Sequence, residues 1–260
     1  MARTTDRLDI PPLAPPASPQ TAAPIPTTPI ECDVGGTTLR ATLTAPTDAV
    51  ALAVVLHDAA DERLDPTHTT LVDVLHAAGV ATLRADLCTA DEARGDHANG
   101  TPFFDISLLV DRLIAVMAAI RARTDLPQLP LGLVGDRAVG AAALYAAAEY
   151  PERVGAVVTR SARPDLAGPF FPRLGAPTLL IVGDRDPETR RINEEAFRHL
   201  HGPRSLEVIP GARHQFLEPG AGEQAAALTR AWLLRHLCPP QTADQQAAVG
   251  RPGTATARVP

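Results

Sequence analysis

Three short stretches combine residue types that can do chemistry with the glycine and proline spacing of turns. In chain order they are Gly135-Asp136-Arg137-Ala138-Val139-Gly140, Gly183-Asp184-Arg185-Asp186 and Gly211-Ala212-Arg213-His214. A loop aspartate and a loop histidine can pair for proton transfer, because a carboxylate fixes the imidazole tautomer and stabilises its charged form. Both also have ordinary uses. Asp186 precedes Pro187, a good first helical residue, so its carboxylate can serve as a helix cap. A loop histidine is often just exposed. Asp136 offers the same choice between a chemical role, as a carboxylate nucleophile, and capping the helix that follows it. Arg137 is different: it stays protonated and offers no lone pair, so it can hold an anion but cannot attack a carbonyl. His57 and Asp58 end a buried apolar run and form either a ligand-facing loop or a solvated one. Cys88 follows another apolar run, where a small buried thiol is the usual case. His199 and His201 have no third ligand nearby, so no metal site is expected.

Those loops need elements to position them, and the hydrophobic period supplies them. Ile30 to Thr44 reads as two strands about Gly35 and Gly36. Ala49–Leu56, Val80–Ala85, Leu129–Val134, Ala156–Thr159, Thr178–Val182 and Leu206–Ile209 read as further strands. Helical spacing predicts helices over Thr70–Ala78, Asp105–Arg123, Ala138–Tyr150, Glu188–Leu200 and Ala225–Leu237. This alternation implies an α/β fold, a mostly parallel sheet with helices on both faces. In such a sheet function gathers at the loops after the strands' carboxyl ends, where the three stretches fall. The segment Arg160–Gly175 is too short for a separate lid domain, which leaves a shallow, open cleft rimmed by Phe170, Phe171 and Phe216.

Composition sets the limits. The chain has 260 residues, 45% hydrophobic and 21% charged, enough to bury a core. Eight prolines between Pro11 and Pro29 mark residues 1–29 as a disordered tail, and the polar stretch 239–260 as a second. One domain is expected over residues 30–238. The net charge of -6, with 24 basic residues that are all arginine and no basic cluster, argues against a nucleic-acid partner. Cys32, Cys88 and Cys238 lie far apart, which suggests neither a disulfide framework nor a zinc site and fits a reducing, cytoplasmic setting. No run reaches membrane-span length, so no membrane partner is expected.

From roughly Glu31 to Leu237 the chain resembles the α/β-hydrolases, and more closely their dienelactone-hydrolase-like branch. The resemblance rests on Val54-Val55-Leu56-His57, Ala85-Asp86-Leu87, Phe104-Asp105-Ile106 and Leu131-Gly132-Leu133-Val134-Gly135. It continues through Pro151-Glu152-Arg153-Val154, Ala176 to Gly183, and His214 followed by Phe216. It implies an α/β-hydrolase fold, a small-molecule substrate or ligand, no cofactor, Asp186 as the triad acid and His214 as the general base, the two lying within reach of each other.

The same resemblance exposes a departure. The family's nucleophile sits at the apex of a tight turn fourteen residues before the Pro of a Pro-x-Arg-Val segment; counting back from Pro151 gives Arg137. Two places on, where a small residue belongs, stands Val139, with Gly140 one place late. A bulky apex at positive φ costs about 1–3 kcal/mol, so a relaxed turn is expected. Asp58, beside the place where an oxyanion would form, opposes that charge. The expectation is a hydrolase-fold protein without acyl transfer. In it Arg137 either closes the site by pairing with Asp186 or Asp136, or joins the helix N-terminus, with His57 and Asp58 nearby, in binding a small anionic ligand. The alternative is an active hydrolase of small esters or lactones, using His214 and Asp186 with Asp136 or Cys88 as nucleophile.

Overall fold

Gly35 and Gly36 adopt positive φ, 55° and 85°, and so turn the chain between β1 (Thr27–Val34) and β2 (Thr37–Thr44), which pair antiparallel. The computed structural model describes residues 25–57, 65–89, 91–92, 105–123 and 128–238. β1 starts at Thr27, so the boundary expected at residue 30 falls inside a strand. Pro29 is accommodated because β1 lies at the sheet edge, where a missing donor costs little. Residues 1–24 and 239–260, most of the two expected tails, lie outside the described residues.

The remaining strands are β3 (Ala51–His57), β4 (Val80–Asp86), β5 (Leu131–Asp136), β6 (Ala156–Arg160), β7 (Thr178–Gly183) and β8 (Arg204–Ile209). They form one eight-stranded sheet in the order β1-β2-β4-β3-β5-β6-β7-β8, antiparallel only where β2 meets β1 and β4. All seven residues of β3 are buried, the signature of a central strand covered on both faces.

Five helices are described: α1 (Pro66–Ala77), α2 (Ile106–Arg121), α3 (Arg137–Glu149), α4 (Pro187–His199) and α5 (Ala221–Leu237). Side-chain caps start three of them. Asp65, Asp105 and Asp186 accept from the backbone N–H of Thr67, Leu108 and Thr189 at 2.7, 3.1 and 3.1 Å. On one face, α2 and α3 bury Leu109, Leu113, Met117 and an alanine-rich stripe against Val54, Leu83 and Leu133. On the other, α1 and α5 bury Leu71, Leu75, Leu228 and Trp232 against Val55, Val134 and Ile181. The segment expected as a plain connection before β7 is a 3-10 helix, Pro164–Arg173, whose Phe171 is 5% exposed. No separate lid domain stands over the sheet among the described residues, and no described helix is long and apolar enough to cross a membrane.

A part-buried ion pair ties the segment after β4 to α2. Arg112, 3% exposed, donates to both carboxylate oxygens of Glu92 at 2.8 and 2.6 Å and to the Leu87 carbonyl at 2.8 Å. The Arg112 hydrogen bond holds the Glu92 carboxyl below the usual carboxylate range.

Candidate functional site

β5 passes directly into α3 with no residue between Asp136 and Arg137. Arg137 takes φ 44°, a left-handed conformation that costs a non-glycine residue about 1–3 kcal/mol. The turn is therefore a strained elbow, and the expectation of a relaxed one is overturned. The packing gives the reason. A Cβ on Gly135 would lie 3.0 Å from the Gly140 backbone, and a Cβ on Gly140 would lie 2.9 Å from the Gly135 carbonyl and 2.7 Å from Ala162 Cβ. Gly140 supplies the close helix–strand approach, and Val139 is free to fill the core at 0% exposure. The Arg163 N–H also donates to the Arg137 carbonyl at 3.1 Å, bracing the turn from the loop after β6.

Asp136 occupies the N-cap position of α3 but makes no side-chain cap hydrogen bond. Its carboxylate turns to Arg160 Nη2 at 3.0 Å and His68 Nε2 at 3.3 Å. Burial alone would push this carboxyl up; Arg160, His68 and His57 outweigh it and hold the group below its ordinary value. Arg160, 1% exposed, also donates to Thr67 Oγ1 at 3.3 Å and lies 5.9 Å from the Phe216 ring centroid. His57, at the end of β3 and 0% exposed, meets the His68 ring edge-on at 4.6 Å. A polar knot of His57, His68, Asp136 and Arg160 thus sits behind the elbow, at the carboxyl ends of β3, β5 and β6. Asp58 lies outside the described residues.

The loops carrying Asp186 and His214 are stitched together. The Arg185 N–H donates to the Ala212 carbonyl at 2.9 Å, and the Gly211 N–H to Asp184 Oδ1 at 2.6 Å. Within that frame the Asp186 carboxylate caps α4, His214 is exposed, and no hydrogen bond or ion pair joins the two among the described residues. Cys88 is 2% exposed beside Arg112. The aromatics expected on a cleft rim are packed instead. Phe171 and Phe216 are 5% and 1% exposed, and Phe170 stacks on Tyr145 with ring centroids 3.5 Å apart. No cluster of three or more metal-ligating side chains occurs among the described residues.

Sequence reasoning missed His68 and Arg160. A signal existed for Arg160: a cation ending the run Val157-Val158-Thr159 stands where a buried strand meets the functional edge. His68 had only the Asp65-Pro66 helix start two residues before it.

No family model matches the chain. Two Mycobacterium tuberculosis proteins, from strains CDC 1551 and H37Rv, carry the provisional name phosphoribosyl transferase and are each 41% identical over 198 residues, 76% of this chain. The chain spans only 44% of the length of these curated relatives. Among solved structures, Est1E from Butyrivibrio proteoclasticus is similar in fold, with a TM-score of 0.66 at 16% identity over 80% of this chain and 98% of its own. A dienelactone hydrolase from Anabaena variabilis superposes with a TM-score of 0.77 at 37% identity, covering 82% of this chain and 99% of that one. An elbow, a strand order and a sequence likeness that runs nearly the full length of that hydrolase converge: the chain belongs to the dienelactone hydrolase family of α/β-hydrolases.

Proposed function

We propose that this member of the family has lost acyl transfer and uses its elbow to hold a small anionic ligand. One observation carries the reading: the strained apex, at φ 44°, bears the guanidinium of Arg137. A protonated arginine has no lone pair with which to open a carbonyl. Two further features support it. Asp136 is engaged as the partner of Arg160 and His68, and Cys88 is buried, so neither is open to a substrate carbonyl. The anion preference rests on charge. Arg137 opens the thirteen-residue helix α3, and the positive end of the helix dipole adds to its cation. The chain's net charge of -6 and lack of a basic cluster favour a small ligand over nucleic acid. The provisional name of the longer mycobacterial relatives points to a phosphorylated sugar, which makes phosphate monoesters the first probes.

A panel of activated esters and lactones tests the loss of catalysis. The expected result is background hydrolysis that His214→Ala leaves unchanged. Turnover that depends on His214 would overturn the reading in favour of an active hydrolase with Asp136 or Cys88 as nucleophile. For the ligand, calorimetric titration with sugar phosphates and small carboxylates should show binding that weakens about tenfold or more in Arg137→Ala, the loss of one charge-assisted contact. Binding of equal strength in that variant removes Arg137 from the account.

A further inference from the structure

At the end of the sheet remote from the elbow, the last residues of β2 and the first of β3, β4 and β5 leave a gap under the end of α2. The gap is a cavity of about 180 Å³ walled by Leu43, Leu52, Ile120, Leu129 and Leu131. Its walls are mostly apolar, with Thr47, Arg121 and Gln128 as the polar members. Arg121 and Gln128 are exposed. Arg121 Nη2 donates to the Arg153 carbonyl at 3.3 Å, and no carboxylate pairs with this guanidinium among the described residues. Its remaining N–H donors suit a carboxylate, which a guanidinium can grip through two parallel hydrogen bonds. Arg121 stands in the last turn of α2, and its whole positive charge outweighs the partial negative charge of the helix end.

We infer that this pocket binds a small aliphatic monocarboxylate, its chain between Leu52, Ile120 and Leu131 and its carboxylate on Arg121. The site lies apart from the elbow and shares no residue with it. Hexanoate and hexan-1-ol, titrated into the full chain and followed by calorimetry and by NMR shifts of the leucine methyls, provide the test. Hexanoate should bind, and hexan-1-ol about tenfold more weakly, for want of one charge-assisted contact. Arg121→Gln should bring hexanoate down to the alcohol's level and leave the alcohol unchanged. Ala49→Leu, which adds bulk from a half-buried lining position, should abolish both. Arg137→Ala should change neither. Absence of hexanoate binding, equal affinity for the alcohol, indifference to Arg121→Gln, or loss on Arg137→Ala would each overturn the assignment. If Ala49→Leu fails to fold, the Arg121→Gln comparison still decides.

Discussion

Asp136→Asn will lower the unfolding free energy by about 3–5 kcal/mol, because it strands a cation that has left water. Arg160 is 1% exposed; among the described residues its Nε and Nη1 find no hydrogen-bond partner, and the anion that offsets its charge is Asp136, 3.0 Å from Nη2. Asparagine keeps the shape but removes the charge, so the guanidinium's desolvation is no longer met. Urea denaturation should show the loss as a lower midpoint with an unchanged slope. Replacing both partners, Asp136→Asn with Arg160→Met, should recover most of it, since no buried charge then remains. A single variant as stable as the parent would refute the pairing. The carboxyl's folded value lies below the ordinary aspartate value of about 3.9, so its contribution is fully present above that pH and is lost as pH falls through the folded value. That acid-side slope should flatten in Asp136→Asn.

The knot also marks how far the sequence could be read. Strand and helix periods stated the fold because β3, β5 and β7 are buried along their whole length or nearly so, and apolar runs of that kind have few other uses. The parallel order and the three chemical loops followed from the alternation. Arg160 reads as the start of a connection because a buried cation looks like a loop residue until its partner is known, and that partner lies 24 residues away. His68 depends on a contact 68 residues distant along the chain, which local periodicity does not encode. The strain at Arg137 is hidden from the sequence for a related reason. By spacing Val139 is the helix contact, whereas the turn presents Gly140 to Gly135 and lets Val139 point into the core.

Gly183→Ala will cost about 3 kcal/mol or more, through overpacking and the loss of one or two hydrogen bonds. A Cβ there would lie 2.2 Å from the Ala212 carbonyl oxygen and 2.8 Å from that of Arg213. Both obstacles are backbone, so no side-chain rotation relieves them. The loop must move, and the Arg185-to-Ala212 and Gly211-to-Asp184 hydrogen bonds move with it. Gly211→Ala is the control in the same loop. It has open space around its Cβ but φ 76°, so it should lose only about 1–2 kcal/mol for left-handed backbone. Denaturation midpoints rank the two, and faster amide exchange at Arg185 in Gly183→Ala alone would locate the damage; equal costs would refute the steric account. Because these loops carry Asp186 and His214 but not Arg137, the variant also divides the two functional readings. Sugar-phosphate binding at the elbow should persist in the folded protein, whereas hydrolysis that relied on the Asp186 and His214 loops would fall with their geometry.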